Sequence, residues 1–446
     1  MRFISTRDPD GPRVSFAEAL FRGIAPDGGL YHPSDVPDLR ALIRSLGSDA
    51  SFVDCASAMI EGLLGDEYDA ASARELAVEA FPFQPELREI EPGIHLLDLF
   101  QGPSCAFKDY GASFLAATME AVLLRNGSST AGGTGRAIIL TATSGDTGSA
   151  VAHAFSGRKN IDVVILYPSG RVSPLQEKQL TTLGGNILAL EVDGSFDDCQ
   201  RMVKEAFSDP VLRETLTLTS ANSINVGRLI PQSFYYVYAF AQLKEREEDE
   251  LIFCVPSGNF GNLTAGVLAW HWGMAVSSFI AATNANDVVP EFLNTGIFTP
   301  RHSVKTLANA MDVGNPSNFE RLIFLFENGG VQAMRGLIHG ASVTDETITA
   351  TMGDLYRRRG TLVCPHTAVG VHAARGYLAE ERTGNSLVVT LATAHPAKFV
   401  EVCRDALGVE PEIPERLARL LDLPKMAVPV DNTLAALSAV LLERYT

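Results

Sequence analysis

The feature that most constrains the fold of this chain is a series of short apolar runs that alternate with helix-length segments from about residue 137 onward. The runs are bounded by Gly, Pro or Ser, as is typical of parallel strands buried on both faces. Segments 196–207 and 263–272 have a helical pattern between them. This alternation predicts an α/β fold with mostly parallel sheets. The predicted strands are residues 137–142, 162–167, 186–192, 251–255, 278–283 and 387–393.

The first hundred residues follow a different pattern. Four helical segments, residues 16–22, 41–46, 56–64 and 70–80, are separated by Pro and Gly. They predict a mainly helical N-terminal domain that ends near the Pro92-Gly93 step. We therefore divide the chain into a helical domain at residues 1–93 and two α/β lobes at residues 94–240 and 241–446.

Composition and charge exclude several classes of protein. The net charge of −17 over 446 residues offers no basic footprint for nucleic acid or anionic lipid. No stretch approaches the roughly 20 apolar residues that span a bilayer, and the N-terminus lacks the apolar core of a secretory signal. The six cysteines show no Cys-x-x-Cys spacing and the nine histidines no His-x-x-x-His pair, so we expect no metal site and a reducing cytoplasm.

A glycine-rich turn at residues 256–262 separates the predicted strand 251–255 from a helix that begins at Leu263. Glycine lets backbone N–H groups approach a ligand, and the helix start adds free N–H groups and its positive dipole end. The side chains of Ser257, Asn259 and Asn262 are further donors. The turn suits a phosphate dianion bound without lysine, although a plain βα turn with an Asn cap has the same pattern.

A second turn, residues 143–148, follows the predicted strand 137–142 and leads into a helix at Ser149. Its donors suit a carboxylate or a phosphate at the helix N-terminus. Asp146 complicates this interpretation, because its charge repels an anion unless it points elsewhere. The structural alternative is that Asp146 or Thr147 caps the helix.

Other catalytic and anion-binding motifs are excluded. The chain has no Gly-Lys pair, so a Walker A loop is absent. Residues 132–135 are glycine-rich but precede a strand, which predicts a loop instead of a dinucleotide fingerprint. The Gly-x-Ser-x-Gly nucleophile motif of hydrolases is missing as well.

Lys108 follows an apolar stretch and begins a small-residue helix at residues 112–122. Burial and a helix start both lower the pKa of a lysine, which makes its amine available for imine chemistry. A lone lysine is more often a surface residue. Combined with a phosphate turn that contains no lysine, however, Lys108 points to a phosphorylated aldehyde cofactor, and pyridoxal phosphate fits that description.

Seven motifs along almost the whole chain resemble threonine synthase, a family of pyridoxal-phosphate enzymes with the tryptophan-synthase-β-like fold. Their joint order is far more specific than any one of them. They are Ser15-Phe16 with residues 27–31, residues 107–109, 143–148, 220–225 with Arg228, 257–262, 314–318 and 393–399.

The resemblance implies a role for each matching residue. Lys108 is the catalytic residue, which holds the cofactor and then moves protons at the substrate carbons. Thr393 offers its hydroxyl to the pyridine nitrogen, which leaves that nitrogen largely unprotonated. The cofactor-binding set is Lys108, Asp146, Ser257, Gly258, Asn259, Phe260, Gly261, Asn262 and Thr393, and the α-carboxylate of the substrate is held by Ser144, Gly145 and Thr147.

The family reaction converts O-phospho-L-homoserine and water into L-threonine and phosphate, so the resemblance implies a second phosphate site. Its candidates are Arg228, Asn222, Asn225 and Lys178, with Arg228 preferred because a guanidinium binds phosphate through two hydrogen bonds. A surface ion pair is the alternative for Arg228. We interpret His153, Trp270 and His366 as packing or surface residues.

Three other functions remain open at this point. A related phospho-lyase would release 2-oxobutanoate from the same substrate, and a serine or threonine dehydratase shares the fold but lacks the long helical N-terminal domain. A noncatalytic metabolite-binding relative is the third, although the intact Lys108 and both glycine turns argue against it. We expect no obligate protein partner, no nucleic acid and no membrane.

Overall fold

The computed structural model describes residues 1–125, 136–143, 145–246, 249–380 and 386–446. The first 81 residues hold β1 (Phe3–Ser5), α1 (Phe16–Arg22), β2 (Tyr31–Pro33), α2 (Arg40–Ser45), α3 (Phe52–Leu64) and α4 (Ala70–Ala80). The helices dominate this part, as predicted. Ser15 and Ser51 begin α1 and α3, and each forms a capping box with an acidic residue three positions later.

The middle of the chain alternates strands and helices. It comprises β3 (Glu86–Glu91), β4 (Ile94–Asp98), α5 (Lys108–Arg125), β5 (Ala137–Ala142), α6 (Asp146–Phe155), β6 (Ile161–Pro168), α7 (Pro174–Thr181), β7 (Ile187–Asp193), α8 (Phe196–Ser208), α9 (Pro210–Thr215), β8 (Leu218–Thr219), α10 (Val226–Leu229) and α11 (Gln232–Gln242).

The last part continues this alternation. It comprises β9 (Glu250–Pro256), α12 (Gly261–His271), β10 (Ser278–Thr283), α13 (Val288–Thr295), α14 (Phe319–Leu325), α15 (Gly330–Arg335), β11 (Ile338–Ser342), α16 (Asp345–Arg359), α17 (Pro365–Glu380), β12 (Ser386–Ala392), α18 (Val400–Leu407), α19 (Glu415–Leu421), β13 (Ala427–Asp431) and α20 (Leu434–Tyr445), with short 3₁₀ helices at Lys244–Arg246, Asn309–Met311 and Pro396–Phe399.

Two mostly parallel sheets form the core of the α/β part. One has five strands in the order β13-β7-β6-β5-β8, all parallel. The other has six strands in the order β11-β10-β9-β12-β4-β3, in which only the β3–β4 pair is antiparallel. Every residue of β5, β6 and β10 is buried, which explains their continuous apolar sequences. The predicted α/β fold is confirmed.

The sheets do not follow the predicted boundaries at every strand. Strand β4 lies in residues 94–240 but pairs with β12 in the six-stranded sheet, and β13 lies in residues 241–446 but pairs with β7 in the five-stranded sheet. Parallel pairing joins segments that are distant in sequence, and no local signal marks which sheet a strand joins. The division at residues 93 and 240 stays a prediction.

The described residues offer neither a membrane-spanning helix nor a metal-binding cluster. No helix among them is long and apolar enough to cross a membrane. No group of three or more His, Cys, Asp or Glu side chains gathers there in an arrangement that could hold a metal ion. The six cysteines are all buried and unpaired.

Candidate active site

The turns after β5, β9 and β12 lie at the carboxyl ends of parallel strands, where α/β proteins bind their ligands. Residues after β12 pair with the segment before α5. The Phe107 N–H donates to the Thr393 carbonyl at 2.9 Å, and the His395 N–H donates to the Cys105 carbonyl at 3.0 Å. This pairing brings Lys108, the first residue of α5, beside Thr393 at the end of β12.

The surroundings of Lys108 favour its neutral amine. Burial lowers the pKa of Lys108, and the charges of Lys398 and Arg228 lower it further, whereas Asp146 opposes them. Asp109 is directed elsewhere, because its carboxylate accepts the Ser104 N–H at 2.9 Å. A neutral amine is the form that can attack an aldehyde or remove a proton from carbon.

Near the turn at residues 256–262, the buried side-chain amides of Asn262 and Asn318 have no hydrogen-bond acceptor among the described residues. The hydroxyls of Tyr235 and Tyr236 donate to the Asn262 side-chain oxygen at 2.6 and 2.7 Å, which assigns the other side-chain atom as nitrogen. The Asn318 side-chain oxygen accepts from Arg321 at 2.6 Å. Neither Nδ2 atom finds a hydrogen-bond partner in the described part of the chain. Buried amide nitrogens without partners are rare, so they mark an anion site.

Backbone geometry shapes the same turn. Phe260 has the positive φ of 59° immediately before α12, and no side chain caps that helix. A Cβ atom at Gly258 would lie 2.7 Å from the Met311 Cα atom, and one at Gly261 would lie 3.2 Å from Asn318 Nδ2. The turn is therefore packed closely against residues 310–318, with the free N–H groups of a helix N-terminus at its end.

Ser257 and Asn259, two of the predicted cofactor ligands, form hydrogen bonds that stabilise the turn and its contacts with neighbouring segments. The Ser257 hydroxyl donates to the Val255 carbonyl at 2.9 Å. The Asn259 amide donates to Ser223 Oγ at 2.8 Å and accepts the Ser317 N–H at 2.6 Å. Asn259 thus links two of the other motifs that the sequence singled out, residues 220–225 and 314–318.

These residues fit a phosphorylated aldehyde. Residues 256–262 contain no acidic side chain, two buried amide donors lack an acceptor, and a lysine with a lowered pKa lies at the neighbouring strand end. Phosphate would satisfy the donors, and the aldehyde would react with the amine. Pyridoxal phosphate has both groups.

The turn at residues 143–148 places a buried carboxylate at the start of α6. Thr143 Oγ1 accepts the N–H groups of Gly145 and Gly148 at 3.0 and 2.9 Å. Asp146, the first residue of α6, forms an ion pair of 2.7 Å with Lys398. Burial raises the pKa of Asp146, but the paired ammonium of Lys398 outweighs burial and holds that pKa well below its usual range, and Lys108 adds to this effect when it is protonated.

The predicted substrate ligands differ in their burial and in their hydrogen-bond partners. Arg228 is buried instead of forming a surface ion pair: its Nη1 donates to the Ala221 carbonyl at 2.6 Å, and its Nε has no partner among the described residues. Asn222 accepts from Thr141 Oγ1 at 2.7 Å. Thr147 is half-buried in the first turn of α6.

Two of the predicted substrate ligands are occupied elsewhere, and a third cannot be placed. The Asn225 amide donates to the Leu20 and Ser220 carbonyls and its oxygen caps α10, which is a structural role. The Lys178 amine donates to the Leu423 carbonyl. Ser144 lies outside the described residues.

Sequence reasoning gave no role to Lys398, and it interpreted His366 as a packing or surface residue. The charges of Asp146 and Lys108 both act on His366, so the ring lies close to them. The Ala310 N–H donates to His366 Nε2 at 3.1 Å, which fixes the hydrogen on Nδ1. Burial lowers the pKa of His366 to about 4 and keeps it neutral. Nothing in the sequence around either residue marks it, apart from the position of Lys398 in the motif at residues 393–399.

Comparisons with family models cover nearly the whole chain. Residues 82–394 match the model described as pyridoxal-phosphate dependent enzyme. Residues 2–81 match the model of the threonine synthase N terminus, and residues 367–441 match that of the threonine synthase C-terminal region.

Individual relatives agree with these matches. A threonine synthase from Haemophilus influenzae is 41% identical over 99% of this chain and 100% of its own length. The crystal structure of threonine synthase from Escherichia coli superposes with a TM-score of 0.88 at 41% identity and covers 100% of both chains. A threonine synthase from Brucella melitensis with bound PLP superposes with a TM-score of 0.91 at 36% identity, over 100% of this chain and 99% of the other.

Proposed function

Because the chain belongs to the threonine synthase family of pyridoxal-phosphate-dependent enzymes, we propose that it converts O-phospho-L-homoserine and water into L-threonine and phosphate at the site around Lys108. The enzyme is a lyase of threonine biosynthesis that depends on pyridoxal phosphate. The identity of its substrate and the role of each residue form the proposal.

The residues of this chain divide the binding of the cofactor among them. The Asn262 and Asn318 amides and the start of α12 would hold its phosphate, and the Thr393 hydroxyl would meet its ring nitrogen. When bound, pyridoxal phosphate supplies an aldehyde that joins to amines and a ring that withdraws electrons from the substrate carbons.

Lys108 performs the proton transfers. The lowered pKa of its amine keeps a larger share of it neutral, so that it can take a proton from one substrate carbon and return it at another. Overall, the bond between the γ-carbon and oxygen breaks with the electron pair leaving on phosphate, and one proton moves from the β-carbon to the γ-carbon. Water adds its hydroxyl at the β-carbon, and its remaining proton goes to the released phosphate. Arg228 is buried, and its Nε donor has no partner among the described residues, so it is the preferred ligand of the leaving phosphate.

The observation that supports this proposal most is the backbone pairing of residues 105–107 with residues 393–395. It joins the segment that carries Lys108 to the strand end that carries Thr393, and the two are almost three hundred residues apart in sequence. A chain with only a structural role for Lys108 would have no need to bury that amine beside Asp146, Lys398 and Arg228.

The test is release of threonine and phosphate from O-phospho-L-homoserine by wild type and Lys108→Ala. We expect the variant to lose about a thousandfold or more in rate, since both amine chemistry and proton transfer depend on one side chain. Lys204→Ala, at an exposed lysine of α8, is the matched control and should retain wild-type activity. Full activity in Lys108→Ala would contradict the assignment.

Mass spectrometry of the products distinguishes the alternatives. Phosphate with 2-oxobutanoate and no threonine would identify a phospho-lyase, and bound substrate without any product would identify a noncatalytic relative. We also propose a cytoplasmic location, because six buried cysteines with free thiols are typical of a reducing compartment.

A further inference from the structure

The turn at residues 143–148 poses an electrostatic problem for the proposed function. It is the proposed site of the substrate α-carboxylate, at the N-terminus of α6, yet the first residue of that helix is Asp146. The Asp146 side chain is only 6% exposed and ionised, because its pKa lies well below the usual range. An isolated carboxylate buried here would repel a second carboxylate strongly.

Lys398, which is about 250 residues further along the chain, neutralises the charge of Asp146. Its side chain is fully buried, and its ammonium lies 2.7 Å from Asp146 Oδ1. The same ammonium donates to the Ser104 carbonyl at 2.8 Å, four residues before Lys108. Within the described part of the chain, Asp146 is the only carboxylate within ion-pair distance of Lys398.

The neighbours of the pair keep it in place. Gln176 Nε2 donates to Asp146 Oδ1 at 3.2 Å, and Gln179 Nε2 donates to the Ser104 carbonyl at 3.2 Å. The His395 side chain accepts the Ala397 N–H at 3.1 Å and begins the 3₁₀ helix that presents Lys398. The pair therefore connects α6 and α7 with the segment after β12.

We propose that Lys398 is a specificity-determining residue whose ammonium cancels the charge of Asp146, so that the N-terminus of α6 can receive an anionic carboxylate. This inference rests on the proposed function, since it concerns the carboxylate of that substrate. With the pair neutral, the positive end of α6 sets the local potential. A buried ion pair is costly to form and often contributes little stability, so a purely structural role explains it poorly.

The experiment measures binding of L-norvaline, an amino acid without a leaving group, and of 1-aminobutane, the same amine without the carboxylate. The amine of either ligand can replace the Lys108 amine at the aldehyde carbon of the bound cofactor. This exchange changes the absorbance of the cofactor, and titration of that change gives each dissociation constant. In Lys398→Met the dissociation constant of L-norvaline should rise about tenfold or more, because Asp146 is left unpaired. That of 1-aminobutane should change by less than about threefold, because this ligand has no carboxylate to repel.

Two further variants separate charge from structure. Asp146→Asn/Lys398→Met removes both charges and should restore L-norvaline affinity to within about threefold of wild type. Lys398→Arg keeps the cation and should also bind L-norvaline well. If Lys398→Met does not fold, the Asp146→Asn variant provides the test. In that variant the Lys398 ammonium has lost its carboxylate partner, so the protein should bind L-norvaline at least as tightly as the double variant does.

Three results would overturn the inference: equal weakening of both ligands in Lys398→Met, a double variant as weak as Lys398→Met, or weaker L-norvaline binding in Asp146→Asn than in the double variant. Lys204→Met serves as the control for loss of an exposed lysine. Threonine formation by wild type is measured separately, so a failure of the proposed function is recognised independently of the ligand comparison.

Discussion

Individual charges decide the chemistry at Lys108. Besides burial, two nearby cations lower the pKa of its amine, and one of them is the Arg228 guanidinium. Arg228 is itself so buried that its pKa falls to about 10. The site therefore gathers positive groups around an amine that is needed in its neutral form, and it has local cations for anions in a chain whose net charge is −17.

Replacing Arg228 by Met should change the titration of Lys108. Removal of a nearby positive charge raises the pKa of Lys108, so the neutral fraction at a given pH falls. We expect the rate at which the cofactor-free protein takes up pyridoxal phosphate to shift its midpoint to higher pH, by about 0.5–1 unit. Arg201→Met, at an exposed arginine of α8, is the control. An unshifted midpoint in Arg228→Met would contradict this account.

Two glycines of the turn at residues 256–262 should respond differently to substitution by alanine. At Gly258 the added Cβ meets backbone, 2.7 Å from Met311 Cα and 3.0 Å from the Ala310 carbonyl, which cannot move independently. At Gly261 it meets the end of the Asn318 side chain at 3.2 Å. We expect Gly258→Ala to weaken cofactor affinity by about 1–3 kcal/mol, and Gly261→Ala to have the smaller effect.

Titration of the cofactor-free variants with pyridoxal phosphate measures this difference. Equal losses at both positions would show that Asn318 is as rigid as backbone. A larger loss at Gly261 would contradict the packing described for this turn.

The sequence identified some residues of the site and not others, for a physical reason. Lys108 and the two glycine turns carry local marks: a lysine at a helix start, and glycines between a strand and a helix. Lys398 and Asn318 lie in the motifs at residues 393–399 and 314–318, but their roles, like that of His366, depend on partners that are distant in the chain. The charge of Asp146 was recognised as a problem, but its partner could not be found without the fold.

At the scale of elements, strands that are buried throughout and also nearly continuous in apolar residues, such as β5 and β10, could be predicted with their observed bounds. Burial alone was not sufficient: β4 is buried throughout as well, but it reads Ile-His-Leu-Leu-Asp, and its polar residues interrupt the apolar pattern. Strand β3 was missed because it lies at the edge of the sheet and reads Glu-Leu-Arg-Glu-Ile-Glu. The Pro92-Gly93 step that was interpreted as a domain end is the turn of the β3–β4 hairpin, where Gly93 has a φ of 79°.

Close contact between α5 and α10 predicts the effect of Gly111→Ala. The new Cβ would lie 2.7 Å from the Arg228 carbonyl, so the helices must separate. Gly111 is one turn after Lys108, and the separation moves the amine. We expect a loss of about 1–3 kcal/mol in the free energy of unfolding together with lower kcat.

Gly376→Ala in α17 is the matched control for this substitution. No atom of the residues that the structure describes lies within 4 Å of the added Cβ, and alanine favours helix over glycine. The free energy of unfolding should therefore rise by about 0.5–1 kcal/mol with kcat unchanged. Thermal unfolding and steady-state kinetics of the two variants test the pair, and a stable, fully active Gly111→Ala would refute the contact.

At the scale of the whole molecule, the last two strands, β12 and β13, join different sheets. Strand β12 inserts between β4 and β9, and β13 then adds to the five-stranded sheet beside β7. The segment between β12 and β13 thus runs from one sheet to the other, and it contains Thr393 and Lys398. The late part of the chain therefore completes a site whose amine comes from residue 108, which makes the site dependent on the complete fold.

Buried histidines make the fold sensitive to acid. Burial lowers the pKa of His32 to about 3, and that of His366, His153 and His395 to about 4. In the unfolded chain these groups titrate near about 6.5. Their contribution to stability is complete above that pH and declines as the pH falls towards their folded values. Asp109, whose pKa burial raises to about 6, acts in the opposite direction below pH 6.

Among the described residues, the histidines with a lowered pKa outnumber the aspartates whose pKa burial raises (Asp98, Asp109, Asp162 and Asp312), so the free energy of unfolding should fall as the pH drops from about 6.5 to about 4. Chemical denaturation at a series of pH values measures the slope. Each histidine contributes up to about 1.4 kcal/mol per pH unit. His366→Asn, whose amide takes up no proton, should flatten the slope by that amount, and His302→Asn, at an exposed position, should leave it unchanged. A slope in His366→Asn equal to that of wild type would mean that this ring is not held neutral by burial beside Lys108.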